Sequence, residues 1–104
     1  MAEPTLPRTA FLVLVALQHG GRHGYDIAAF IDDKSGGFFK PSFGALYPVL
    51  HKLEQEGLVR GAWMDGGARR KKVYSLTRTG KKALAVERER TVAEAGALAR
   101  LVEG

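Results

Sequence analysis

Residues 40–59 read KPSFGALYPVLHKLEQEGLV and predict one helix with both of its ends marked. Ser42 is an N-cap residue whose hydroxyl can accept a hydrogen bond from an amide two or three residues further on. Gly57 stands where a left-handed residue ends a helix. The apolar residues between them follow the i, i+3, i+4, i+7 spacing of one buried stripe: Leu46, Val49, Leu50 and Leu53. We therefore predict an amphipathic helix over residues 42–56.

Two helices are predicted before this stretch. The first runs from Thr9 to His19 and is almost wholly apolar, which indicates burial on more than one side. A small domain has a single core, so the second side calls for another partner, most simply a second copy of the chain. The next helix runs from His23 to Lys34 and ends at Ser35-Gly36-Gly37.

After Gly57 the hydrophobic period changes to two, which predicts strands. One strand is expected over Leu58–Met64 and its return over Val73–Leu76, joined through a Gly-containing turn and the basic run Arg69–Lys72. We call this hairpin the wing. Its four consecutive cations are expected at the tip.

A last helix is predicted from the cap Thr77 towards Val102. It is too long to be covered by so small a domain, and pairing with a partner chain is the economical explanation, although Gly96 weakens the seam. The residues expected at a dimer interface are Phe11, Leu14, Leu84, Val92, Ala95, Leu98, Leu101 and Val102.

Together these elements predict a mainly α fold with a small β-hairpin, of class α+β. The architecture is a winged helix-turn-helix over residues 1–77, followed by a C-terminal dimerisation helix over residues 78–104. Within it, the helix over 42–56 is the recognition helix.

The charge distribution points to a polyanion partner. The chain of 104 residues carries a net charge of +5, and residues 41–80 hold seven basic and three acidic side chains. Basic charge concentrated on one part of a winged helix is typical of binding to double-stranded DNA. The plain alternative is a solvated surface that is basic by chance.

The candidate DNA contacts lie on the recognition helix, on the wing and at the two helix starts. They are Ser42, Phe43, Tyr47, His51, Lys52, Arg69, Arg70, Lys71, Lys72, His23 and Lys40. The wing cations are expected at phosphates, which give affinity without direct sequence information. Phe43 and Tyr47 can instead pack against the wing or the second helix. The helix face carries no Arg or Asn, so part of the specificity is expected from DNA shape and half-site spacing.

Several other classes of function are not expected. The chain has no cysteine, and its three histidines lie on different elements at spacings that form no metal site. No acid–base pair, activated nucleophile or phosphate-binding glycine loop is present, so neither an enzyme nor a cofactor is expected. The longest apolar run is far shorter than the ~20 residues of a membrane helix, and a cytoplasmic protein is expected.

The chain resembles the PadR-type transcriptional regulators, in particular the short ones with a single C-terminal helix. The resemblance covers roughly residues 8–85. It rests on five motifs in order: HGYDI (23–27), SGGFFKPS (35–42), GALYPVL (44–50), LEQEGLV (53–59) and KVYSLTRTG (72–80). It implies a homodimeric winged-helix repressor of bacterial type, paired through the C-terminal helix, whose repression small aromatic or drug-like molecules relieve.

Two features depart from the family pattern. Val73-Tyr74 stands where relatives commonly have two aromatic residues before the Leu-Thr of the wing. The single tryptophan, Trp63, belongs to the wing, and the last helix has no aromatic residue. Both facts argue against a planar drug held between tryptophans at the dimer centre.

Two functions from different classes follow. The first is a homodimeric repressor that binds a palindromic operator through the helix over 42–56 and the basic wing segment 65–72, with release by a small-molecule effector. The alternative is a winged-helix protein–protein interaction module without specific DNA binding, in which the basic wing is incidental.

Overall fold

The computed structural model describes residues 6–66 and 69–104, with the side chain of Arg69 also outside the described part. The described chain contains four helices and three strands, which confirms the predicted α+β class. The elements are α1 (Arg8–Ala16), β1 (Arg22–His23), α2 (Gly24–Lys34), α3 (Phe43–Gln55), β2 (Val59–Gly66), β3 (Arg69–Leu76) and α4 (Arg78–Glu103).

Helix α3 has the ends and the buried stripe that its sequence predicts. The Ser42 hydroxyl accepts a hydrogen bond from the Ala45 amide at 3.1 Å, and Gly57 ends the helix with φ of +76°. Leu46, Leu50 and Leu53 are buried and Val49 is half-buried. The helix runs unbroken through Pro48. Local signals therefore define α3 completely.

The sheet contains a strand that the sequence analysis missed. Strand β1 pairs with β3, Arg22 opposite Tyr74 and His23 opposite Val73, so the sheet order is β1-β3-β2 and all pairing is antiparallel. A two-residue strand shows no periodicity, and only its distant partner defines it. Since His23 belongs to β1, α2 begins at Gly24 rather than at His23.

The wing is longer than predicted, and this corrects the position of its cations. Gly66 lies opposite Arg69 in the β2–β3 register, so only residues 67 and 68, which lie outside the described residues, join the strands. Arg70, Lys71 and Lys72 are therefore part of β3 and not of a loop at the tip. Because successive strand residues point to opposite faces, Arg70 and Lys72 share the face of Trp63, and Lys71 lies on the other.

The core corrects two of the predicted dimer contacts. Leu14 and Leu84 are 0% and 4% exposed, and they pack with α2, α3 and β2 residues inside the protomer. They are not available to a partner chain. Helix α1 also ends at Ala16, three residues before the predicted His19, because turn hydrogen bonds such as Gly20 N–H to Leu17 O replace the helical ones.

Helix α4 starts at its predicted cap and extends beyond the core. The Thr77 hydroxyl accepts a hydrogen bond from the Gly80 amide at 3.0 Å, and it donates to the Gly57 carbonyl at 2.6 Å. Gly80 and Leu84 are buried on the face towards the core. Among the described helices, none combines the length and the apolar character needed to cross a membrane.

Candidate nucleic-acid interface

The exposed face of α3 presents Tyr47, His51 and Lys52. The Tyr47 side chain is 55% exposed, and His51 and Lys52 are exposed as well. The His51 ring nitrogen Nε2 lies 3.4 Å from the Gln55 side-chain nitrogen, one turn further along the helix. These three side chains are free to enter a groove.

Phe43 packs against the second helix, which was the alternative left open for it. Its ring stacks on that of Tyr25, with centroids 4.7 Å apart and an interplanar angle of 11°. A Cβ at Gly24 would overlap the Phe43 ring, so the glycine allows this close approach. Tyr47 lies next in the row, 6.2 Å from Phe43 between centroids. Phe43 therefore supports the surface and leaves Tyr47 as its exposed aromatic residue.

The remaining candidates outside the wing have mixed settings. The Ser42 hydroxyl already caps α3, and His23 Nε2 lies 3.0 Å from an Asp26 carboxylate oxygen. Lys40 is exposed just before α3. Of these three, only Lys40 presents a side chain with no competing role in the fold.

The wing carries its cations over an aromatic ring. The Arg70 guanidinium carbon lies 5.2 Å from the centre of the Trp63 ring, and Lys72 Nζ lies 5.8 Å from it. Arg70 is 68% exposed, and its contact with Asp65 at 3.9 Å joins two solvated groups, so this pair contributes little. Arg70 and the exposed Lys71 are the described wing cations that remain available to a polyanion.

Lys72 instead joins the wing to the recognition helix. Its ammonium donates to Glu54 Oε1 at 3.0 Å, and Glu54 Oε2 accepts the Gly61 amide at 3.2 Å. This hydrogen bond is the main reason why the pKa of Glu54 is lowered and that of Lys72 is raised. Sequence reasoning missed Glu54, because its partners are fixed only by the β2–β3 register.

Replacing Glu54 with glutamine is expected to lower the free energy of unfolding by up to ~1 kcal/mol at pH 7, since the pair is partly solvated. A lowered carboxyl pKa stabilises the fold above the ordinary value of about 4.3 and loses its effect below it. The raised lysine pKa likewise stabilises below about 10.4 and fails above it. Urea unfolding of both proteins at pH 7 and pH 3 measures the difference, which should nearly vanish at pH 3.

Glu56→Gln is the matched control, because Glu56 is exposed at the end of the same helix. It should change the unfolding free energy less than Glu54→Gln does at pH 7. Equal losses in the two variants, or a Glu54→Gln loss that persists undiminished at pH 3, would show that the pair does not join the wing to α3.

A cleft of about 320 Å³ lies between the wing and the starts of α2 and α3. We call it the wing–helix cleft. It brings together six of the predicted contact residues: His23, Phe43, Tyr47, Arg70, Lys71 and Lys72. Its walls do not include Ser42, Lys40, His51 or Lys52. Tyr74 also lines it, and burial raises the pKa of the Tyr74 hydroxyl. That hydroxyl therefore stays protonated at neutral pH.

The described residues contain no group of three or more His, Cys, Asp or Glu side chains that could hold a metal ion. The side chains around the cleft are aromatic and cationic, and they suit contact with an anion or with a planar ring. That chemistry is binding chemistry.

Comparison with known proteins agrees with this geometry. The Transcriptional regulator PadR-like family matches residues 13–86. The chain is similar to the negative transcriptional regulator PadR of Bacillus subtilis strain 168, with 33% identity over 75 residues. That match covers 71% of this chain and 41% of the relative, so the chain spans less than half of the relative's length.

Two solved structures show the same fold. Bacillus subtilis PadR in complex with operator DNA matches with a TM-score of 0.68 and 32% identity, over 73% of this chain and 44% of that one. A PadR family transcription regulator from hypervirulent Clostridium difficile matches with a TM-score of 0.80 and 20% identity, over 92% of this chain and 99% of that one. The second likeness concerns the fold alone.

The family and these relatives are transcriptional regulators rather than enzymes, as the sequence analysis expected. The family match spans well over half of the 104 residues, and it includes α3, the wing and the start of α4. The chain belongs to the PadR-like family of transcriptional regulators.

Proposed function

We propose that the protein is a DNA-binding repressor that acts as a homodimer on a palindromic operator. The observation that carries this proposal is that the aromatic start of α3 and the wing cations flank one cleft on one side of the molecule. The similarity to Bacillus subtilis PadR, which was solved with operator DNA, supports it. Basic charge next to an exposed helix face is the expected arrangement for groove binding.

The contacts divide into two kinds. Arg70 and Lys71 bind phosphates, and the Tyr47 hydroxyl donates to a phosphate from the start of α3. Lys52 reaches a phosphate or a guanine edge. Lys72 is compensated by Glu54, so its main role in the proposal is to position the wing. DNA shape and half-site spacing supply part of the specificity.

Dimerisation is proposed through α4. The face that buries Leu84 continues at helical spacing into Ala95, Leu98 and Val102, because these lie 11, 14 and 18 residues further along. Leu98 and Val102 are 54% and 84% exposed in the single chain. An apolar face that begins in the core and ends uncovered fits a partner helix. The exposed Val92 and Leu101 and the half-buried Phe11 flank the contact.

Leu98→Glu is expected to convert the dimer into a monomer, because a carboxylate would be buried without a partner at the seam. Sedimentation velocity measures the change, which should appear as a fall from two chains to one at micromolar concentration.

Ala93→Glu is its control, since Ala93 is exposed and lies on the opposite face of the same helix. It should remain dimeric. If the two variants have the same oligomeric state, Leu98 does not lie at the interface.

Selection of bound duplexes from random DNA tests the proposed function as a whole. We expect enrichment of an inverted repeat whose half-site centres lie about 34 Å apart, one turn of the duplex, or a multiple of it. Failure to enrich any sequence, together with binding to another protein that survives neutralisation of the wing cations, would favour the interaction module instead.

The proposal includes the division of labour along the chain and its place in the cell. Residues 1–77 bind DNA and residues 78–104 hold the dimer together. A regulator of this kind acts in the cytoplasm, where the DNA is. The proposal also includes release of DNA by a small-molecule effector.

A further inference from the structure

The wing–helix cleft has more aromatic character than phosphate binding requires. Tyr25, Phe43 and Tyr47 form a continuous row on its helix side. Trp63 and Tyr74 lie on its wing side. Tyr25 and Trp63 are 70% and 58% exposed, which is unusual for large aromatic side chains. Phosphate groups need cations and amides, and they make no use of two aromatic walls.

The charge of the cleft has one sign. Its lining contains Arg70, Lys71 and Lys72 and no acidic residue. Glu54 compensates Lys72, and the Asp65 contact with Arg70 is long and solvated. The Arg70 guanidinium is thus the most available cation, and its carbon lies 5.2 Å from the centre of the Trp63 ring. An anion bound to Arg70 is placed beside an aromatic face.

We propose that the wing–helix cleft binds a planar aromatic carboxylate, a compound of one or two fused rings. The carboxylate accepts hydrogen bonds from the Arg70 guanidinium, whose planar fork matches its two oxygens. The ring packs between the Trp63 wall and the Tyr47 wall. The cleft volume of about 320 Å³ is at the small end of ligand pockets, which span ~300–1,000 Å³, and so selects a small ligand.

This site differs from a ligand site at the dimer centre, because it lies within one protomer and on the face that the proposed function gives to DNA. A ligand in the cleft and a DNA strand at Arg70 and Tyr47 therefore exclude each other. This consequence rests on the proposed function, whereas binding of the ligand itself does not. The two are measured separately.

Titration of the full-length protein with 2-naphthoate, without DNA, tests the binding site. Trp63 is the only tryptophan, so a single indole N–H resonance in a ¹⁵N-labelled sample reports on the cleft. We expect this resonance to shift and saturate at millimolar 2-naphthoate. The neutral 2-naphthamide and the non-planar cyclohexanecarboxylate should each bind several-fold more weakly.

Calorimetry of variants tests the role of the cation. Arg70→Gln should weaken 2-naphthoate binding about fivefold, the upper range for a solvated charge pair. Arg60→Gln, an equal loss of charge at an exposed position on the opposite face of β2, should leave it unchanged. An unshifted indole resonance, equal binding of the amide, or equal effects of the two variants would overturn the proposal. Shifts confined to α4 would do so too, as they place the ligand at the dimer centre.

Competition then links the site to regulation. 2-Naphthoate should displace a fluorescent duplex from the wild-type protein with a midpoint close to its directly measured dissociation constant. Adenosine monophosphate tests whether the cleft prefers a nucleotide, and tighter binding of it than of 2-naphthoate would contradict the small-carboxylate assignment. If no duplex binds at low salt, the proposed function fails, while the indole titration still decides the site.

Discussion

Replacing Arg70 and Lys71 together with glutamine is expected to weaken binding to every duplex by about ten- to a hundredfold near physiological salt, because two phosphate contacts and their counterion release are lost. Both side chains are exposed on β3 beside the cleft. The slope of log affinity against log salt should become shallower by ~2, roughly 0.9 per lost contact. Fluorescence anisotropy over a series of salt concentrations measures both quantities.

The ratio of operator to non-specific affinity should change little in this variant, since phosphate contacts carry no direct sequence information. Lys81→Gln with Lys82→Gln is the matched control: it removes the same charge from two exposed positions at the start of α4. A control that loses as much affinity as the wing variant would mean that net charge alone, and not the wing, accounts for binding.

Gly80→Ala is expected to cost about 2 kcal/mol or more of unfolding free energy, at the upper end of overpacking effects. A Cβ at this position would overlap the carbonyl oxygen of Leu58, a backbone atom that cannot rotate away. The same carbonyl accepts the Thr77 amide at 3.2 Å, so the start of α4 and the end of the α3–β2 turn are fixed against each other. Thermal unfolding should show a fall in Tm of about 10 °C.

Gly44→Ala is the control for this substitution. Gly44 lies in α3, and a Cβ there would only touch the Ser42 side chain at 4.0 Å. An alanine in a helix is favoured over glycine by ~0.5–1 kcal/mol in the helix interior and less in the first turn. We expect no loss of stability for it. A Gly80→Ala protein as stable as the wild type would show that α4 does not pack on Leu58.

The parts of the fold that the sequence predicts are those with local causes. Ser42 and Thr77 cap their helices through amides three residues further on, and Gly57 ends α3 through its own backbone angle. Each signal lies within one turn of its effect. The buried stripe of α3 depends in the same way on the spacing of four residues.

The parts that the sequence does not predict depend on distant partners. Strand β1 exists only because Tyr74 and Val73 lie opposite it. The Glu54–Lys72 pair spans 18 residues and depends on the wing register. The stack of Tyr25 on Phe43 joins two helices at an angle that no local pattern records.

Burial shows a related limit. Helix α1 is apolar on several faces, and the sequence analysis assigned Leu14 to a partner chain. The structure buries Leu14 within the protomer, because α2, α3 and α4 together surround α1. Hydrophobic residues identify a buried face, but only the packing identifies which chain covers it. The α4 positions Leu98 and Val102 are different, since the protomer leaves them exposed.

The central claim is that the chain binds duplex DNA through α3 and the wing. The most direct measurement is a titration of the unmodified protein with a selected duplex at several salt concentrations, with the stoichiometry measured in the same samples. We expect saturation at two chains per duplex at low salt and a steep loss of affinity as salt rises, as counterion release requires. An absence of binding to any duplex at low salt would contradict the claim.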